Sequence, residues 1–429
     1  MSDPEAIPSA SPPPETGDPY EVFRNRDFRF YLIGRFVAAM GGQMLTVAVG
    51  WELYQKTKSA LPLGLVGLSQ MIPMLLFTLP AGHVADNYNR KQIILLTNLV
   101  IACACLGLTI ISYIGAPVGW VYLFLFLAGA ARTFLWPASS AFLPHLVPRH
   151  LFARAVNWNS SSFQLSSVAG PAAGGALIAF TKRFWPASAW PVYAITTVAL
   201  LVCVLLISLV RRDHVVAVRE RMSLRSLVVG FRFVFASPII LGTITLDLFA
   251  VLLGGATALL PMYAEEILKV GPAGLGLLQA ALPSGSLACA LLMAHRPPMQ
   301  KAGRTLMWAV TGFGLATIGF GFSRSFPLSF LMLFICGATD NISIVVRHTL
   351  VQMLTPDEKR GRVSAVNSLF IGTSNELGGF ESGLVAYLTT PVFAVVSGGV
   401  GTILVVLAVA VIWPEIRRYG RLDGSPEGR

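Results

Sequence analysis

From Arg29 almost to the C-terminus, long apolar runs alternate with short polar breaks. The runs are too long and too uniformly apolar for ordinary soluble helices. They match the roughly 20 residues that a helix needs to cross a bilayer. The pattern predicts twelve spans, six at 29–52, 62–82, 92–113, 118–142, 155–180 and 187–210. The other six fall at 235–256, 272–294, 305–322, 326–354, 362–388 and 392–413. The tenth is long enough to project beyond the membrane. Residues 1–22 are rich in Pro, Ser and acidic side chains, which predicts a disordered tail with no apolar core. The expected architecture is an all-α polytopic membrane protein. One six-helix bundle occupies 23–210, a basic linker 211–234, a second bundle 235–413 and a short tail 414–429.

Composition narrows the class. Of the 429 residues, 54% are hydrophobic and only 12% charged, against about 25% charged in soluble domains. An ordinary soluble enzyme is excluded, and so is extended disorder. The net charge of +11 would suggest nucleic acid on a soluble chain. Here its location argues otherwise. Of the 32 Lys and Arg, 23 fall on the side of the N-terminal tail, 6 on the other, and Arg35, Arg132 and Arg347 inside spans. Basic residues concentrate in cytoplasmic loops, so both termini are expected in the cytoplasm, and no nucleic-acid partner is needed. The five cysteines lie in apolar runs, and Cys103-Ala104-Cys105 is too tight for a usual zinc pair. No disulfide framework, metal site or cofactor is expected. The six histidines form no sequence cluster of the kind a membrane enzyme would use, and no phosphate-binding loop for ATP is present.

The chain repeats faintly. Gly129-Ala130-Ala131-Arg132 leads to Pro148 and then Ala155-Val156-Asn157. Gly337-Ala338-Thr339-Asp340 leads to Pro356 and then Ala365-Val366-Asn367. The first two landmarks are offset by 208 residues and the third by 210. The fourth and tenth spans thus match, as do the fifth and eleventh. Two related six-span halves are the repeat logic of a secondary transporter.

Between spans two and three stands Gly82-His83-Val84-Ala85-Asp86-Asn87-Tyr88-Asn89-Arg90-Lys91. It resembles the signature loop of the major facilitator superfamily, although Asn87 stands where that family usually has a basic residue. Gly82 permits close approach of helices at the turn. The resemblance implies a gating role for Asp86, which can face a helix N-terminus or an arginine when the inner gate closes. Arg90 and Lys91 would anchor the inner membrane surface. Span five carries Gly170-Pro171-Ala172-Ala173-Gly174-Gly175, which resembles the fifth-helix motif associated with antiporters of the superfamily. Small residues let helices pack closely in lipid, and Pro171 removes one backbone hydrogen bond. A narrower resemblance rests on Gly50-Trp51-Glu52-Leu53-Tyr54, on Arg347-His348-Thr349-Leu350-Val351-Gln352 and on the stretch from Arg362 to Gly383. These look like the enterobactin-exporter branch, over essentially residues 23–415. That branch and its macrolide-efflux relatives export small organic molecules from bacteria on the proton gradient.

Ionisable residues within spans are costly and therefore informative. Asp247, in mid-span seven, is the first candidate for a protonatable carboxylate facing a central cavity. Asp340 and Arg347 are seven apart on span ten, on one helical face and about 10.5 Å apart along the axis. They can share a polar stripe and pair with neighbouring helices. Glu376 and Glu381 on span eleven point roughly 140° apart, so Glu376, beside Asn375, is the better cavity candidate and Glu381 the better brace. Proton-coupling candidates are therefore Asp247, Glu376 and Asp340. Cavity candidates are Arg35, Gln43, Arg132, Asn157, Gln164, Arg347 and Glu381, with Asn159 as a further polar contact. Trp51 and Trp136 fit packing better than stacking on a substrate.

The expected function is secondary transport by two bundles rocking about a cavity, with export of a siderophore, macrolide or hydrophobic drug against protons. The expected setting is a single chain in the bacterial inner membrane. A passive lipid or small-molecule carrier, an importer and a membrane-embedded enzyme are the alternatives.

Overall fold

The computed structural model describes residues 18, 20–185, 188–211, 224–296 and 299–420. Most of the tail expected at 1–22, most of the linker, and 421–429 lie outside the described residues. The first half contains α1 (Arg26–Thr57), α2 (Leu61–Asn87), α3 (Arg90–Tyr113), α4 (Gly119–Leu146), α5 (Phe152–Thr181) and α6 (Trp190–Ser208). The second opens with α7 (Leu224–Ala236) and α8 (Pro238–Leu253), followed by the short α9 (Leu260–Met262) and a π turn, Tyr263–Ile267. It continues with α10 (Gly271–Ala294), α11 (Ala302–Phe322), α12 (Phe326–Leu354), α13 (Asp357–Leu388), α14 (Pro391–Ile412) and α15 (Pro414–Arg418).

Among the described residues, eleven helical segments are long and apolar enough to cross a membrane, Pro238–Ile267 counting as one unit. The twelfth long helix, α13, is not apolar enough by the same measure. It begins with Asp357, Glu358, Lys359, Arg360 and Arg362 and carries Glu376 and Glu381 further along. With 32 residues, α1 and α13 are the longest helices and run about 48 Å. They overreach a hydrocarbon core of about 30 Å, as the 29-residue α12 does.

Two departures from the sequence pattern have plain causes. Residues at the end of the expected disordered tail are ordered. Glu21 pairs with Arg154 of α5 at 2.9 Å, and Val22 is fully buried. The linker end is helical: α7 joins a buried cluster in which Val234 meets Ile240, Val351, Val363 and Val366. Its apolar side chains gain a partner in α13 that the one-dimensional pattern does not reveal. Caps set several helix starts: Asn25 accepts from the amides of Asp27 and Phe28, and Asn89 from those of Lys91 and Gln92.

The two halves pack by the same plan. In the first, α1 meets α5 and α6, α4 meets α2 and α3, and α3 meets α6. In the second, α8 meets α13 and α14, α12 meets α10 and α11, and α11 meets α14. The contacts between halves, α5 with α10 and α2 with α13, exchange under the same correspondence. This pairing equates α4 with α12 and α5 with α13, the helices that carry the sequence repeat.

The core explains the shape. At the end far from the termini, one cluster runs through both halves, with Trp51, Tyr54 and Leu63 continuous with Leu260, Tyr263 and Leu275. At the end nearer the termini, the buried residues separate. Phe28, Tyr31 and Phe142 group in the first half, and Leu306, Val346 and Leu350 in the second. The halves therefore close on each other at the far end and part toward the termini.

Candidate functional site

Where the halves meet, near mid-depth, lies a cavity of about 420 Å³, within the size range of small-molecule sites. Its polar lining comes from Gln43 and Thr46 of α1, Gln70 of α2, Arg132 of α4, Gln279 of α10, and Asn375 and Glu376 of α13. Thr257 adds a hydroxyl from the second half, and most of the rest is apolar, with Leu and Pro side chains from both halves. The two charged groups come from opposite halves. Arg132 donates to the Gln70 side chain at 2.9 Å, which holds the guanidinium toward the cavity. Gln43 donates weakly to Ser167 Oγ of α5 at 3.4 Å, and Asn375 to the Ile371 carbonyl one turn back at 2.8 Å.

Glycine spacing brings these helices so close. A side chain on Gly67 would run into the backbone carbonyl of Glu376, and one on Gly175 into that of Pro272. The Gly-Pro segment of α5 thus packs on both sides. Gly170 and Gly174 lie against Gln43 and Met44 of α1, while Gly175 lies against Gly276 of the other half. Pro171, mid-helix, is itself part of the cavity wall.

A second polar cluster lies inside the second half. Asp247 of α8 forms an ion pair with Arg347 of α12, and both side chains are buried. Asp247 and Asp340 share a cavity of about 10 Å³, room for one water at most. Asp340 forms no ion pair among the described residues. Asp247, expected at the central cavity, instead faces this separate pocket, because Arg347 reaches it from the neighbouring helix.

Of the other sequence candidates, Arg132, Gln43 and Glu376 enclose the central cavity and Arg347 does not. Arg35 reaches Ser139 Oγ of α4 at 3.5 Å. Asn157 is exposed, Gln164 and Asn159 are partly buried on α5, and Glu381 accepts from Ser382 at 3.4 Å; none encloses the cavity. Trp51 is buried, with the Lys182 ammonium 5.2 Å from its ring centre, whereas Trp136 is exposed.

The signature loop braces the first half from within. Arg90 is buried and donates to the Ala141 carbonyl at 3.2 Å, with the His145 ring 2.7 Å away. Lys91 donates to the Val210 carbonyl at 2.6 Å. Both cations, expected to anchor the membrane surface, turn instead onto the carbonyl ends of α4 and α6. Gly82 and Asp86 lie in the last turns of α2, and Asp86 forms no ion pair among the described residues.

Sequence reasoning misses Gln70, Thr46 and Gln279. Each is a polar side chain in an apolar run, the signal that marked Gln43. It also misses a seal at the far end, where Tyr54 donates to Glu266 and Lys58 lies 3.8 Å from Glu265. Beside it, buried Glu52 accepts from Lys56 at 2.6 Å, Ser112 at 2.7 Å and the Ala189 amide at 3.1 Å.

A profile described as transmembrane secretion effector, of the major facilitator type, matches residues 18–424. The chain belongs to that family. Enterobactin exporter EntS of Citrobacter koseri is 27% identical over 405 residues, covering 94% of this chain and 95% of its own. EntS of Escherichia coli O1:K1 / APEC is 26% identical over 394 residues, covering 91% and 93%. Solved structures share the fold. A bacterial homologue of the iron transporter ferroportin, inward-facing, has a TM-score of 0.71 at 14% identity, covering 91% of this chain and 98% of its own. A bacterial homologue of the lysosomal transporter Spinster, inward-facing and occupied, has a TM-score of 0.68 at 15% identity, covering 94% and 96%. This member of the transmembrane secretion effector family is therefore a multi-pass secondary transporter of the major facilitator fold.

Proposed function

We propose that this transporter exports a small organic molecule of the siderophore, macrolide or hydrophobic-drug class across the bacterial inner membrane in exchange for protons, with both termini cytoplasmic. The observation that carries the reading is the cavity between the halves, with Arg132 on one wall and Glu376 on the other. It is sealed at the far end and accessible from the termini side, so a cytoplasmic molecule can enter it. A mostly apolar wall with a few convergent polar groups suits an amphipathic organic molecule. The matched relatives named for enterobactin export support the siderophore class.

Proton coupling is assigned to Asp247, Arg347 and Asp340. This buried cluster holds two carboxylates and one guanidinium. Arg347 neutralises Asp247, and a proton on Asp340 removes the remaining charge from the membrane interior, where charge is expensive. A proton arriving from outside on Asp340 would leave Arg347 to Asp247 alone, tighten that pair between α8 and α12 and bias the rocking of the second half. The chain acts as a single copy, since it contains both halves, and it performs transport rather than catalysis, as its relatives and fold neighbours do.

The test is flux into everted vesicles with an acidic interior, across a panel of siderophores, macrolides and hydrophobic drugs. One compound class should accumulate with the wild-type chain and dissipate the pH gradient. Arg132→Gln and Glu376→Gln should each cut that flux at least tenfold at equal expression, a loss of about 1.4 kcal/mol of transition-state or binding energy. Substrate movement that persists without the gradient, with no accumulation, would replace antiport with passive carriage.

A further inference from the structure

We infer that the groove between α11 and α14, at the membrane surface on the termini side, is a binding site for an anionic phospholipid. It has a volume of about 440 Å³ and is lined by Arg304, Met307, Trp308 and Thr311 of α11, Val406 of α14 and Arg417 of α15. It is separate from the transport cavity and from the buried carboxylate cluster, and no step of transport uses it.

The chain builds this groove. After α14, Pro414 starts a short helix that folds back onto the N-terminal end of α11. The Ala302 amide donates to the Gly420 carbonyl at 3.0 Å and the Gly303 amide to the Tyr419 carbonyl at 3.3 Å. Gly303 has no side chain to keep the Ile416 carbonyl away, and Ile416 is fully buried beneath. This clamp fixes Arg417 beside Arg304. Both arginines are exposed, and neither forms an ion pair among the described residues.

Depth fits the ligand. Arg304 is in the first turn of α11, a 21-residue helix that itself spans the hydrocarbon. Trp308 lies one turn deeper and is 75% exposed, where indoles favour the headgroup boundary. Below the arginines the walls are Met307 and Val406, and the neighbouring Leu404, Leu407 and Val411 are exposed to lipid. Two cations above an apolar slot match a phosphate above an acyl chain. Basic pockets between membrane helices recognise anionic headgroups in this way.

The probes are phosphatidylglycerol and phosphatidylcholine with brominated chains, in nanodiscs of otherwise unlabelled phosphatidylcholine. Trp308 quenching is the difference between wild type and Trp308→Phe. Each arginine near the surface should contribute roughly fivefold preference for the anionic lipid. Brominated phosphatidylglycerol should therefore quench Trp308 at a mole fraction many-fold below that of brominated phosphatidylcholine. Arg304→Gln with Arg417→Gln should make the two curves coincide, and the matching Lys pair should keep most of the gap. If the Gln pair does not yield monodisperse protein, Arg417→Gln alone, on the exposed end helix, should narrow the gap about fivefold. Equal quenching by the two lipids in wild type would overturn the site. Inorganic phosphate that removes the gap, where chloride at equal ionic strength does not, would overturn the lipid assignment in favour of a soluble anion.

Discussion

At the residue scale, charges in apolar runs carry the information, and their partners decide what they do. Arg132, Glu376 and Gln43 were legible because a polar group in a bilayer-length run must find an internal environment. They do converge, from three helices of two halves, on one cavity. Asp247 was legible as an exceptional residue but not by its neighbours. Helical periodicity assigns a face, whereas only packing reveals that Arg347 of α12 occupies the space opposite. That pair makes a sharp prediction. Asp247→Asn leaves a buried guanidinium without its counter-charge and should cost about 3–5 kcal/mol. Asp247→Asn combined with Arg347→Gln removes both charges and should cost clearly less than the single change, because the two are coupled. Thermal unfolding midpoints of the purified protein in one detergent would check it. A double variant as unstable as the sum of the singles would mean the pair is not coupled.

At the scale of elements, close helix approach is the governing device. The small residues of α5 were visible as a packing motif, but not that one edge faces α1 and the other faces α10. Gly170 and Gly174 serve the first contact and Gly175 the second. The contact with α10 joins the halves, so it belongs to the closed far end rather than to the fold of the first half. Gly175→Val should therefore spare folding and disfavour far-end closure. A cysteine at Gln43, in an otherwise cysteine-free chain, would report it. Its labelling by a membrane-impermeant maleimide from the far side should accelerate about tenfold, equivalent to about 1.4 kcal/mol against the closed state. An unchanged rate would mean that α10 yields to the added side chain without opening. α7 illustrates the opposite limit of sequence reading. Its basic residues mark it as linker, and its apolar face becomes meaningful only once α13 lies beneath it.

At the scale of the molecule, twelve long helices and two related halves follow from span counting and the faint repeat, because both are one-dimensional properties. The state of the molecule does not. A buried core continuous across the halves at one end and divided at the other defines a form closed at the far side. The polar contacts at the rim belong to that form: Tyr54 with Glu266, and Lys58 with Glu265 at 3.8 Å. In sequence, Glu265 and Glu266 look like ordinary charges after an apolar run, because nothing local reveals the helix end they meet. Alternating access requires these contacts to break in every cycle. Lys58→Cys with Glu265→Cys, joined by a short thiol cross-linker in a cysteine-free background, should hold the far end shut. Flux should then fall to the level of empty vesicles, while substrate binding from the termini side persists with unchanged Kd, since the cavity lining is untouched. A reducible cross-linker should restore flux on reduction. Loss of binding together with flux would place the rim in the binding site, and retained flux after complete cross-linking would show that the halves exchange access without parting there.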